Sequence, residues 1–260
     1  MDDYGKFVYL CLQKSGSTFV SDFIGRHSSL SRVAYTRHKP VSEVRPGTFY
    51  FISVRHPFEQ YRSLYQFGCD GKGGLYRKLT KRGLAKLYDH GMEGFEPWLD
   101  FMLEPENAGL LSPDYARVNT EVVGFQTYRF LRLALWAPSP WWLPPAMERT
   151  LPGFVPRSSP DTLMRQVKSG DDVIAIHDAY KLYGAVLRNE SLNADLLDLI
   201  ETHLAEYFPD LDAVRQALAE GAPRINQSTR QALTEQDLAP SVAAKLRARE
   251  AFLFQNFYPD

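Results

Sequence analysis

The run Phe7-Val8-Tyr9-Leu10-Cys11-Leu12-Gln13-Lys14-Ser15-Gly16-Ser17-Thr18 decides how this chain is read. Its apolar, aromatic and β-branched opening predicts a buried strand over about residues 6–12. Ser17-Thr18, ahead of Phe19-Val20-Ser21-Asp22-Phe23-Ile24, predicts a helix start. A strand, a small-residue turn and a helix N-terminus make an anion cradle. The first N–H groups of a helix lack partners within it, and the positive end of its dipole faces the same spot. Lys14 adds a full charge, and the Ser15, Ser17 and Thr18 hydroxyls add donors. The stretch is read as a phosphate grip, against the plainer alternative of a Ser/Gly-rich turn with Lys14 in solvent.

The common nucleotide-binding loop needs G-x-x-x-x-G-K-[ST]. Here Lys14 precedes Gly16 and no glycine opens the loop, which disfavours an ordinary ATPase or GTPase. A second motif follows. Thr48-Phe49-Tyr50-Phe51-Ile52-Ser53-Val54 reads as another buried strand, ending in Arg55-His56-Pro57-Phe58. Pro57 suits the first turn of a helix, where its missing N–H costs nothing, and that helix is expected to run to Gly68. Arg55 then stands at the carboxyl end of a parallel strand, the edge where open α/β sheets bind ligands. Ser63 lies two turns along the next helix, about 9 Å on. Together Arg55 and Ser63 could clamp a second phosphate; singly, each reads as an ordinary surface residue.

In this order the two motifs resemble the sulfotransferases that use 3′-phosphoadenosine 5′-phosphosulfate (PAPS). Val54-Arg55-His56-Pro57-Phe58 is similar to the family's V-R-[DN]-P-[FK], with His56 in place of Asp or Asn. Leu187-Arg188-Asn189-Glu190-Ser191-Leu192 resembles its R-[YF]-E-[DN]-L element, and Arg224-Ile225-Asn226-Gln227-Ser228 its R-x-N-x-S segment. The end, Glu250 to Tyr258, resembles the family's terminal helix. The likeness touches both ends of the chain and skips the middle. It implies that Lys14, Ser15, Gly16, Ser17 and Thr18 hold the 5′-phosphosulfate. Arg55 and Ser63 would hold the 3′-phosphate, and Arg224, Asn226 and Ser228 would cover the nucleotide. The implied fold is a P-loop-like three-layer α/β/α domain with a central, mainly parallel sheet. One domain over residues 1–260 is expected, with a largely helical or irregular insert at about 70–160.

Composition agrees. A chain of 260 residues is long enough for one α/β domain with its own core, and a net charge of −1 carries no global basic field for nucleic acid or membrane. Cys11 and Cys69 read as reduced thiols rather than a disulfide framework. Met1 to Lys6 is short and polar, with neither a signal peptide nor a spanning helix, so the expectation is a cytoplasmic enzyme. Phe95 to Leu103 reads as an acidic amphipathic piece. Trp136 to Pro145, with three tryptophans among four prolines, cannot form a regular helix and is read as an aromatic plug, with a wall of the acceptor site or a partner surface as the alternative. Arg77, Lys78, Lys81 and Arg82 read as a solvated face, with an anionic-acceptor contact as the alternative.

Sulfuryl transfer moves a group of dispersed charge in line between two oxygens, as phosphoryl transfer does. Lys14 and the loop amides suit the charge developing on the leaving phosphate. The candidate base is His38, just past a second strand expected at Arg32 to Thr36, with His56 next in line. No residues are spaced as metal ligands, and no metal is expected. The acceptor is expected to be a hydroxyl of a carbohydrate or small metabolite. The rival functions are a P-loop-type small-molecule or sugar kinase and a non-catalytic phosphonucleotide-binding module.

Overall fold

A computed structural model describes residues 1–89, 91–136, 160–220 and 233–259. The protein is a mixed α/β fold with a central five-stranded sheet flanked by helices. It divides into two compact units, Met1–Arg55 with Leu182–Ser228, and His56–Lys181 with Thr229–Asp260.

The sheet belongs to the first unit. Its strands are β1 (Asp2–Asp3), β2 (Phe7–Leu10), β3 (Ala34–Tyr35), β4 (Phe49–Val54) and β5 (Ala185–Arg188), in the order β3-β1-β2-β4-β5. The β2–β4 and β4–β5 pairs are parallel, whereas β1 runs antiparallel to both of its neighbours. Four strands therefore point one way and β1 alone opposes them. The expected strands at 6–12, 32–36 and 48–54 all form, each shorter than expected.

β1 is the strand that a polar reading of the first residues misses. Asp2-Asp3 is a poor strand sequence, yet each carboxylate has an arginine near it, although neither buried Asp2 oxygen accepts a hydrogen bond. Asp3 Oδ1 accepts from Arg45 Nη2 at 2.6 Å and from the Gly5 N–H at 2.8 Å, and Asp2 lies 3.7 Å from Arg32 Nη2. Gly5, at φ +80°, turns the chain back into β2.

Helices α1 (Ser17–His27), α9 (Leu192–Leu199) and α10 (Leu211–Ala219) complete this unit. Val20, Phe23 and Ile24 of α1, Leu196 and Leu199 of α9, and Val214 and Leu218 of α10 share one core with Phe7, Tyr9, Phe51 and Leu187. Each large apolar side chain fully buried there stabilises the fold by about 1.5–3 kcal/mol. The intervening residues Val8, Leu10, Ile52 and Val54 are buried too, which explains why these strands read as continuous apolar runs rather than alternating ones.

The second unit opens with α2 (Pro57–Cys69), whose Pro57 stands in the first turn. It continues through α3 (Gly74–Thr80), α4 (Phe95–Leu103), α5 (Ala108–Leu111), α6 (Phe125–Ala134), α7 (Pro160–Met164) and α8 (Gly170–Tyr180) to α11 (Pro240–Arg249) and α12 (Ala251–Phe257). Tyr61 and Tyr65 of α2 pack on Trp98 of α4 with ring centroids 6.2 and 5.3 Å apart. Between α7 and α8, Ser169 and Asp172 form a capping box that starts α8. Within the basic run, Lys78 Nζ donates to the Leu111 carbonyl and Arg82 Nη1 to that of Gly109. The Trp/Pro-rich stretch after Trp136 lies outside the described residues.

Candidate anion-binding site

Strand order around β2 sets the site. After β2 the chain passes through α1 to β3, beyond β1, then returns as β4 on the opposite flank of β2. A reversal of this kind opens a crevice at the carboxyl ends of the strands, where open α/β sheets hold ligands. The residues just past those ends are Lys14 after β2, Arg55 after β4 and His38 after β3.

The loop folds as the sequence implies. α1 begins at Ser17, with Gly16 as its N-cap at φ +82°. Gly16 has no side chain to offer the first N–H groups of α1, so these are left to a group outside the helix. A Cβ on Gly16 would lie 2.5 Å from Leu192 Cδ2 and 2.8 Å from Asn189 Nδ2, so the start of α9 closes over the loop. Gly16→Ala is therefore expected to lower stability by roughly 1–3 kcal/mol, from left-handed strain plus crowding. Gly47, at φ +73° with open space around it, is the control. Gly47→Ala carries the strain without the crowding, and urea melts of the two variants separate the terms.

Among the described residues other than glycine, Lys14 (φ 67°) and His38 (φ 57°) are the two with positive φ. A lysine held left-handed costs about 1–2 kcal/mol, and strain of this kind gathers at functional sites. Arg55 Nη1 approaches the Lys14 carbonyl at 3.5 Å, which brings the Arg55 guanidinium to the loop. His38 Nδ1 lies 2.9 Å from the Cys11 carbonyl. A carbonyl only accepts, so Nδ1 donates, and the neutral ring carries its lone pair on Nε2, the form a base requires.

Lys14, Ser15, Gly16, Ser17, Thr18, Arg55 and His38 are thus gathered within the first unit. Ser63 stands half-buried on α2 of the second unit, and Arg224, Asn226 and Ser228 lie outside the described residues. His56 is edge-on to Phe254 and Tyr258, at 5.2 Å from each, with Nε2 3.7 Å from Glu235 Oε2. Glu59 pairs with Arg62 at 2.6 Å.

Ser53 and Tyr9 are residues that the apolar reading of their strands passed over. Both are fully buried, with Ser53 Oγ 2.5 Å from the Tyr9 hydroxyl and 2.6 Å from Ser15 Oγ. The signal was present, since Ser53 interrupts an otherwise apolar-aromatic run. Cys11 beside them is a free thiol that burial pushes up to about 11, so it stays protonated near neutrality.

Among the described residues no group of three or more His, Cys, Asp or Glu side chains is arranged to hold a metal ion. None of the described helices is long and apolar enough to cross a membrane. The chemistry available at the site is that of cations, amides, hydroxyls and one imidazole around an anion. No family model, curated protein or solved structure matches this chain.

Proposed function

We propose that the protein is a PAPS-dependent sulfotransferase that sulfates a hydroxyl of a carbohydrate or small metabolite. The observation that carries this reading is the strained Lys14 loop ahead of α1, with the Arg55 guanidinium against it and His38 oriented by the Cys11 carbonyl. The donor set suits a nucleotide bearing two phosphates. Amides, hydroxyls and an ammonium meet one phosphate, and a guanidinium suited to bidentate contact meets the other. We extend the fold reading in the same way, to a P-loop-like three-layer α/β/α arrangement with a mainly parallel sheet. The four like-directed strands and the reversal at β2 support it.

PAPS bound there would supply the sulfuryl group. The loop amides and Lys14 then stabilise the charge that builds on the leaving 5′-phosphate as its bond to sulfur breaks. His38 Nε2 takes the proton from the acceptor hydroxyl as the new oxygen–sulfur bond forms. Arg55 holds the 3′-phosphate and fixes the nucleotide for in-line approach.

Calorimetric titration with 3′-phosphoadenosine 5′-phosphate (PAP) tests the proposal. Saturable binding of PAP, clearly tighter than that of ATP, is the expected result. Tight binding of ATP together with failure to bind PAP would sink it. Binding of PAP without consumption of labelled PAPS over a panel of hydroxylated acceptors would instead favour a non-catalytic binding module.

A further inference from the structure

We propose that Ser53, with Tyr9 behind it, is a positioning residue that sets the spacing between the Lys14 loop and Arg55; this rests on the two-phosphate reading above. The Ser15 hydroxyl donates to the Leu12 carbonyl at 2.9 Å, which commits its single proton. Ser15 Oγ also lies 2.6 Å from Ser53 Oγ, so Ser53 is the donor in that pair. With the Ser53 proton committed in turn, the Tyr9 hydroxyl, 2.5 Å away, donates to Ser53. One carbonyl thereby orders the relay from Tyr9 through Ser53 and Ser15 to Leu12.

The relay ties together the parts that grip the ligand. Leu12 and Ser15 bracket the turn that carries Lys14, while Ser53 lies two residues before Arg55 on β4. Ser15 and Ser53 are 0 % exposed, so water cannot replace a lost partner. A β-branched apolar residue would suit a buried strand better than serine, so the hydroxyl is there for its bond. Sliding of the loop against β4 would break that bond, and the distance between the two grips is held accordingly.

The test measures PAP and adenosine 5′-phosphate binding to the full chain by calorimetry, with a thermal melt on each variant. The wild type is expected to prefer PAP, the ligand with two phosphates. Ser53→Ala is expected to lose about tenfold of that preference, while affinity for adenosine 5′-phosphate changes by less than about threefold. Tyr9→Phe leaves Ser53 bonded to Ser15 but without its own donor. It is expected to lose about threefold in the same direction, and it carries the test should Ser53→Ala fail to fold. Folded variants that keep the whole preference, or weaken both ligands equally, would overturn the positioning role alone. A wild type with no preference for PAP would bring down the two-phosphate reading itself, and this inference with it.

Discussion

Lys14→Ala is expected to cut sulfuryl transfer by roughly 10²–10³-fold or more while leaving the fold intact, the scale seen when one preorganised stabiliser of developing charge is removed. The ammonium is proposed to act where the leaving phosphate gains charge, so the loss should fall on kcat more than on KM. The side chain is only partly buried, so its removal opens no cavity and stability should hold. Wild-type turnover in this variant would show that the loop is not the phosphosulfate site.

Backbone strain sharpens the same experiment. Lys14 sits at φ 67°, where alanine is as uncomfortable as lysine but glycine is at ease. Lys14→Gly should therefore be at least as stable as Lys14→Ala, by up to ~1 kcal/mol, and equally inactive. Stability recovered while activity stays lost would mean that the fold tolerates a left-handed residue there for what its side chain does. If glycine brought no gain over alanine in a chemical melt, strain at this position would carry no functional meaning.

What the sequence disclosed divides along physical lines. The parallel strands β2 and β4 were legible because burial on both faces writes continuous apolar runs, and α1 and α2 because Ser17 and Pro57 mark helix starts. β1 was hidden because its stability comes from Arg32 and Arg45, ~30 and ~40 residues away along the chain, and no local pattern carries that information. The candidate cradle was legible as a strand–turn–helix, yet its geometric signature was not. The left-handed φ of Lys14 and His38 and the imidazole bond to Cys11 arise only once the strands are side by side. Ser53 was visible as an oddity, but its meaning depends on Tyr9 and Ser15 meeting it across β2 and β4.

Glu250 is expected to dominate the stability of the second unit. Its carboxylate is 0 % exposed. Oε1 accepts from the Tyr61 hydroxyl at 2.6 Å and the Gln126 N–H at 3.0 Å, and Oε2 accepts from the Thr127 N–H and hydroxyl, each at 2.8 Å. Gln126 and Thr127 are in the first turn of α6, so a residue from far along the chain serves as that helix's anionic cap. Gly124 makes the approach possible, since a Cβ there would meet the Arg249 carbonyl at 2.1 Å. Arg249 works beside it, donating to the Leu103 carbonyl at 3.0 Å and the Glu121 carbonyl at 2.8 Å. Glu250→Ala orphans four donors that make no other hydrogen bond among the described residues, at about 1–3 kcal/mol each, offset by the carboxylate no longer losing its hydration. A net loss of about 3 kcal/mol is expected, which lowers Tm by roughly 6–12 °C at this chain length.

The pH dependence of Glu250 gives a signature that bulk damage would not. Burial pushes its carboxyl above the usual range even though four hydrogen bonds pull it down. The folded state then binds the proton more tightly than the unfolded chain does, so this group's contribution is greatest in acid. That contribution is lost as pH rises from the ordinary carboxylate range through the raised folded value. Glu250→Gln cannot ionise and should lack that slope, although its NH₂ faces the Thr127 N–H and costs part of the cap. The stability gap between wild type and Glu250→Gln should therefore be widest at acid pH and shrink toward neutrality. A gap that widened toward neutrality would mean that the four donors outweigh burial and that the carboxylate is held charged in the fold.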